Sequence, residues 1–200
     1  MRHFTGILTA GVFALGVTAA SAAELGDNGL HVQPWFHSSF LELGDDLGEA
    51  AAAGKDLMVI FEQKGCPYCR EMHEVNFARE DIPAHIQENY LVLQLDLRGA
   101  REVVDFDGEA LTESELAQKW LVNFTPTSLF FTLDDPETPP AVFREALAFV
   151  MPGYFKPFHH MTVLEYVASD GYLDEPNFQR WLQARADRLR AEGQEVTVWE

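Results

Sequence analysis

The chain has 200 residues, 47% of them hydrophobic and 15 of them Phe, enough for one domain with a sizeable core. It carries 32 acidic against 14 basic side chains, a formal charge of −18, which disfavours nucleic acid and anionic membrane surfaces as partners. After the first 22 residues nothing approaches the roughly 18 apolar residues of a membrane span, so stable membrane insertion is not expected.

Residues 1–22 read as an export signal that is removed. Arg2 and His3 make a short polar start, Ile7 to Val17 is apolar, and Ala20-Ser21-Ala22 is a small-x-small cleavage site. Residues 23–39 read as an extended lead-in in which Trp35 and Phe36 pack on the body. Phe40, Leu43, Leu47, Ala50 and Ala51 then recur at helical spacing, with Gly54 as a C-terminal stop. Leu57-Met58-Val59-Ile60-Phe61 is an unbroken apolar run, as in a strand buried on both faces. A helix is expected from Cys66 to about Phe77 and another from Asp81 to Asn89, followed by a strand in which Leu91, Leu93, Leu95 and Leu97 alternate. Residues 98–111, rich in charge and Gly, read as a long loop or small insertion.

Thr112-Glu113-Ser114-Glu115 is a capping box opening a helix whose Leu116, Ala117 and Trp120 share a face. Phe124-Thr125-Pro126-Thr127 leads into an apolar strand reaching Leu133. A Pro-rich turn, 134–140, joins it to a strand around 142–150, and the pair reads as antiparallel. Phe158, Met161, Leu164 and Ala168 mark another amphipathic helix. Pro176 is expected to start the last one, with Phe178, Trp181, Leu182, Ala186 and Leu189 inward and Arg185, Arg188 and Arg190 near its C-terminus. Asn123-Phe124-Thr125 matches a glycosylation triplet, read as a chance match beside Pro126.

The only two cysteines are those of Cys66-Pro67-Tyr68-Cys69. Pro67 suits the first helical position, which makes Cys66 the N-cap, where unpaired N–H groups and the helix dipole stabilise a thiolate. Cys69, one turn further in, is expected to be more buried and protonated. Cys66 then attacks a partner disulfide and Cys69 resolves the mixed intermediate. Haem attachment needs His after the second Cys, and position 70 is Arg. Structural zinc needs four ligands, and His73 would supply only a third. A copper(I) site on two thiolates remains as an alternative. A purely structural disulfide is disfavoured because so short a loop constrains the unfolded chain little.

The order of strand, CxxC helix, strand, helix, Thr-Pro, two antiparallel strands and helix resembles the thioredoxin fold over about residues 40–170. The fold class so implied is α/β: a central mixed β-sheet flanked by helices, with an extra N-terminal helix, an inserted loop and a C-terminal helical extension, 171–200. The resemblance implies that Pro126 is the family's cis-proline facing the CxxC, and that Thr125, Pro126, Pro67 and Tyr68 hold the partner chain. Three segments narrow it further: Phe61-Glu62-Gln63-Lys64-Gly65-Cys66-Pro67-Tyr68-Cys69-Arg70, Val104-Asp105-Phe106-Asp107-Gly108-Glu109-Ala110-Leu111 and Met151-Pro152-Gly153-Tyr154-Phe155-Lys156-Pro157-Phe158. They look like the SoxW-type periplasmic thioredoxins. That likeness implies a periplasmic disulfide reductase with no cofactor beyond its Cys66–Cys69 disulfide and no metal, acting on protein disulfides such as that of a sulfur-carrier protein. A membrane thiol-disulfide electron carrier of the CcdA type would recharge it. A disulfide reductase for cytochrome c maturation is the main alternative.

One position departs from ordinary thioredoxins. The buried acid that they carry six residues before the first Cys is replaced by Ile60, which leaves Glu62 as the candidate base for Cys69. The alternative is a solvated Glu at a strand end.

Overall fold

The computed structural model describes residues 24–133 and 138–197. The expected leader at 1–22 and much of the turn at 134–140 lie outside the described residues. The lead-in opens with a small antiparallel hairpin, β1 (Glu24–Leu25) and β2 (His31–Val32). Helix α1 (Leu43–Ala52) buries Leu43, Leu47 and Ala50. Phe40, expected on that face, is instead 97% exposed. Leu41 has a positive φ of 62° and its carbonyl accepts the Val104 N–H, so the chain turns into the helix only after Phe40. Gly54, at φ 69°, ends the helix as expected, because an L side chain rarely adopts that conformation.

Strand β3 (Asp56–Glu62) is buried from Leu57 to Glu62. It leads through Gly65, at φ 76°, into the short helix α2 (Pro67–Glu71) and a π-helical turn, Met72–Asn76. The sequence suggests one continuous α-helix here. The bond from Phe77 N–H to Met72 C=O, five residues back, shows the extra residue accommodated in the turn. Helix α3 (Asp81–Asn89) has its expected bounds and feeds β4 (Tyr90–Asp96).

Residues 98–111 are more ordered than a loop. Strands β5 (Glu102–Val104) and β6 (Ala110–Thr112) pair as an antiparallel hairpin. Asp105, at its tip, accepts from the Trp120 indole N–H and from Lys119 Nζ, which pins the hairpin to the body. Helix α4 (Glu113–Lys119) starts at Thr112 with both bonds of the capping box in place. Strand β7 (Thr127–Phe131) follows. The expected strand at 142–150 is divided: α5 (Phe143–Ala146) comes first, with Phe143 stacked on Trp120 at 5.1 Å, and β8 begins only at Leu147 (Leu147–Pro152).

The main sheet has the order β4-β3-β7-β8, with β3 parallel to β4 and antiparallel to β7, and β7 antiparallel to β8. Period-two alternation sends Leu57, Val59 and Phe61 into one core with α1, α4 and Trp120. Met58 and Ile60 enter a second core with Ile82 and Ile86 of α3 and with α6 (Pro157–Ala168). Trp35 and Phe36 of the lead-in pack against this second core, as expected. A short helix, α7 (Gly171–Asp174), precedes α8 (Phe178–Ala191). The N-cap of α8 is Asn177, whose Oδ1 accepts the Arg180 N–H, so Pro176 stands ahead of the helix rather than starting it. Arg185 is buried: it pairs with Glu165 of α6 and lies over the Phe158 ring at 5.0 Å.

The π-helical turn is fastened to α6 by polar groups. Asn76 Nδ2 donates to the Phe155 carbonyl at 2.8 Å and to His160 Nδ1 at 2.7 Å. The His160 ring is fully enclosed, and burial pushes its pKa down from 6.5 to about 4. A histidine held neutral in the folded state contributes stability that is complete above the unfolded value of 6.5. That stability drains away as the pH falls toward 4, because the unfolded chain takes up the proton first. Between neutral pH and about pH 4.5 the group should cost the wild type roughly 2–3 kcal/mol. Urea unfolding of His160→Gln, compared with wild type across that window, should show a shallower fall in stability; parallel pH profiles would remove His160 as the cause.

Candidate active site

Strand β3, the Gly65 turn and α2 place the two thiols at the end of the sheet. Cys66 is the N-cap of α2, in extended conformation, and its sulfur accepts the Cys69 N–H at 3.1 Å. Pro67 occupies the start of the helix, where its missing N–H leaves no orphan donor. The two cysteines form a disulfide with Cα atoms 5.3 Å apart. Cys66 is 6% exposed and Cys69 is fully enclosed, so a partner can reach only the first sulfur.

The Thr125–Pro126 peptide is cis, and the Thr125 carbonyl oxygen lies 3.6 Å from Cys66 Sγ. Pro126 in turn gives its carbonyl to the Gly153 N–H at 2.8 Å, which ties this corner to the end of β8. Tyr68 is 58% exposed and its ring lies nearly parallel to that of Tyr154, with centroids 6.4 Å apart. The Tyr154 hydroxyl donates to Asn76 Oδ1, and burial raises its pKa, with Glu71 adding to the effect. The face around the disulfide is thus built from Tyr68, Tyr154 and the Thr125–Pro126 corner.

Glu62 is not a solvated strand end. Its side chain is enclosed, on the same face of β3 as Met58 and Ile60, and its Oε1 pairs with His73 Nε2 at 2.8 Å. Gln33 of the lead-in donates from Nε2 to His73 Nδ1 at 3.0 Å, an arrangement in which the neutral ring carries its hydrogen on Nε2 and donates it to Glu62. Phe36 and Phe77 meet the His73 ring edge-on. Glu62 Oε2 has no hydrogen-bond partner among the described residues. His73, Gln33 and Tyr154 are the parts that sequence reasoning missed. The signal for His73 was present: it stands four residues after Cys69, on the same helical face.

Residues 43–168 match the thioredoxin-like domain family. No curated protein matches the chain. Among solved structures, it is similar to a thioredoxin-fold protein from Helicobacter pylori, with 21% identity and a TM-score of 0.51 over 66% of this chain and 81% of the other. A thioredoxin from Thermus thermophilus is 21% identical, with a TM-score of 0.49 over 67% of this chain and 90% of the other. A DsbH oxidoreductase is 12% identical, with a TM-score of 0.43 over 72% of this chain and 94% of the other. Among the described residues no helix is long and apolar enough to cross a membrane. With a CxxC disulfide at the N-terminus of the helix that follows a central strand, and with the family match over most of the fold, the chain belongs to the thioredoxin-like family and is a thiol-disulfide oxidoreductase.

Proposed function

We propose that this oxidoreductase is an exported reductase of protein disulfides, of the SoxW type, that serves sulfur-oxidation proteins in the periplasm. The observation that carries the thiol chemistry is the unequal access to the two sulfurs: Cys66, 6% exposed, over a helix N-terminus, and Cys69 fully enclosed behind it. The direction of electron flow and the partners rest on the sequence resemblance, and export rests on the signal-like pattern of residues 1–22.

In this reading the Cys66 thiolate attacks one sulfur of a partner disulfide, and the other sulfur leaves as a thiolate that takes up a proton. The partner chain lies across Thr125 and Pro126, with Pro67 and Tyr68 at its side. Cys69 then attacks Cys66 Sγ, the partner's second sulfur departs, and the Cys66–Cys69 disulfide remains. Two electrons have passed to the partner, and a membrane dithiol carrier of the CcdA type returns two to the protein.

Resolution requires the enclosed Cys69 thiol to lose its proton where a bare thiolate is poorly solvated. Glu62 is the base, accepting that proton on Oε2, directly or through one water, while His73 holds Oε1. His73 is a positioning residue in this scheme.

Cys66→Ser should abolish insulin-disulfide reduction with the fold retained, and Cys69→Ala should accumulate mixed disulfides visible on non-reducing electrophoresis. If exchange persists in Cys66→Ser, the assignment of the attacking thiol is wrong. Mass spectrometry of the species trapped on Cys69→Ala in the native host tests the partner class; sulfur-oxidation proteins are expected, and cytochrome-maturation proteins instead would redirect the function. Glu62→Gln preserves an acceptor for His73 but not the base, so resolution should slow roughly a hundredfold, with the first attack unaltered. Coincident single-turnover resolution rates for Glu62→Gln and wild type from about pH 6 to 9 would make Glu62 a bystander.

A further inference from the structure

Away from the dithiol, the lead-in and α1 bring three ligating side chains together. His37, Asp46 and Glu49 each offer one donor atom, and the three atoms lie within 4.8 Å of one another. Asp46 and Glu49 stand three residues apart on α1 and so share a side of the helix, while His37 reaches them from the lead-in. The outer two are in polar contact, with His37 Nε2 at 3.4 Å from Glu49 Oε2. That contact does not account for Asp46.

Asp46 is 5% exposed, and its Oδ2 has no hydrogen-bond partner among the described residues. The Ser39 hydroxyl bonds to the carboxylate, and its charged neighbours include His37, Glu49 and Asp45. A buried carboxylate oxygen with nothing to offset it is costly. A cation seated among the three groups would remove that cost.

We propose that His37, Asp46 and Glu49 bind one divalent first-row cation, with zinc the best fit. One imidazole nitrogen and two carboxylate oxygens are donors that zinc takes, and three protein ligands leave a fourth tetrahedral position for water. A neutral imidazole and two carboxylates carry a charge of −2, which the ion cancels, and the strongly acidic chain draws cations toward it. The ligand set differs from the soft dithiolate of a copper(I) carrier, and the site does not depend on the direction of thiol exchange.

The position gives the ion a mechanical role. His37 N–H also donates to the Val92 carbonyl on β4, and Gln33 and Phe36 just before it cover His73. A cation on His37 therefore staples the lead-in down over the buried Glu62–His73 pair.

The test uses the full chain with its disulfide closed, so that thiolates do not compete for the metal. Equilibrium dialysis against zinc should give one ion per chain, and zinc should raise Tm. His37→Ala and Asp46→Asn should each weaken binding roughly tenfold or more and abolish the Tm shift. With zinc left out, insulin reduction by the two variants should equal that of metal-free wild type, which shows that both fold. Absence of stoichiometric zinc on the wild type, or wild-type affinity in either variant, overturns the site.

Discussion

Strand β3 has water on neither face, and its last residue is a carboxylate. Both cores of the domain meet along this strand, so its C-terminal end is held rigidly by everything around it, with β4 on one side and β7 on the other. The price of that rigidity is desolvation. An ionised Glu62 there needs a partner, and the helical run after the CxxC supplies His73. The same run presents Cys69 and, at its π-helical end, Asn76, which fixes Tyr154. One dry strand end thus dictates where the acid, its partner and the enclosed thiol must be.

The pair of sulfurs sits at the boundary between this dry interior and the surface. Cys66 touches the Thr125 carbonyl and the solvent side, whereas Cys69 belongs to the enclosed side. Such a boundary separates the two halves of an exchange reaction. In the proposed exchange the first sulfur is met by the partner, and the second acts where no partner reaches.

The parts of the fold that were legible in the sequence are those set by periodicity and local capping. The unbroken run Leu57 to Phe61, the helix Asp81–Asn89, the box at Thr112–Glu115 and the stop at Gly54 carry their own signals and stand where they were expected. Features that rest on one distant contact were not legible. Phe40 fits the helical period, but a bond between Val104 and Leu41 keeps it outside. Arg185 reads only as a basic residue near a helix C-terminus until Glu165 and Phe158 of another helix are placed beside it. The turn of α5 within an apolar stretch depends on Phe143 finding Trp120. At the site, the cysteines and the Thr-Pro corner could be named from spacing and resemblance. A desolvated Glu62 was one of two open readings, but its pairing with His73 under Gln33 and Phe36 was not legible, because those residues are distant in sequence.

The lead-in has a second consequence through the edge of the main sheet. Strand β4 is an outer strand, and an outer strand with bare N–H and C=O groups is a template for another chain. Here the His37 N–H takes the Val92 carbonyl, and the Gln94 side chain reaches across to the His31 carbonyl. Residues 31–37 therefore act as a selvedge that finishes the sheet. A chain trimmed back to α1 would keep both sulfurs and lose that border, leaving a raw edge on which neighbouring copies could stack strand to strand.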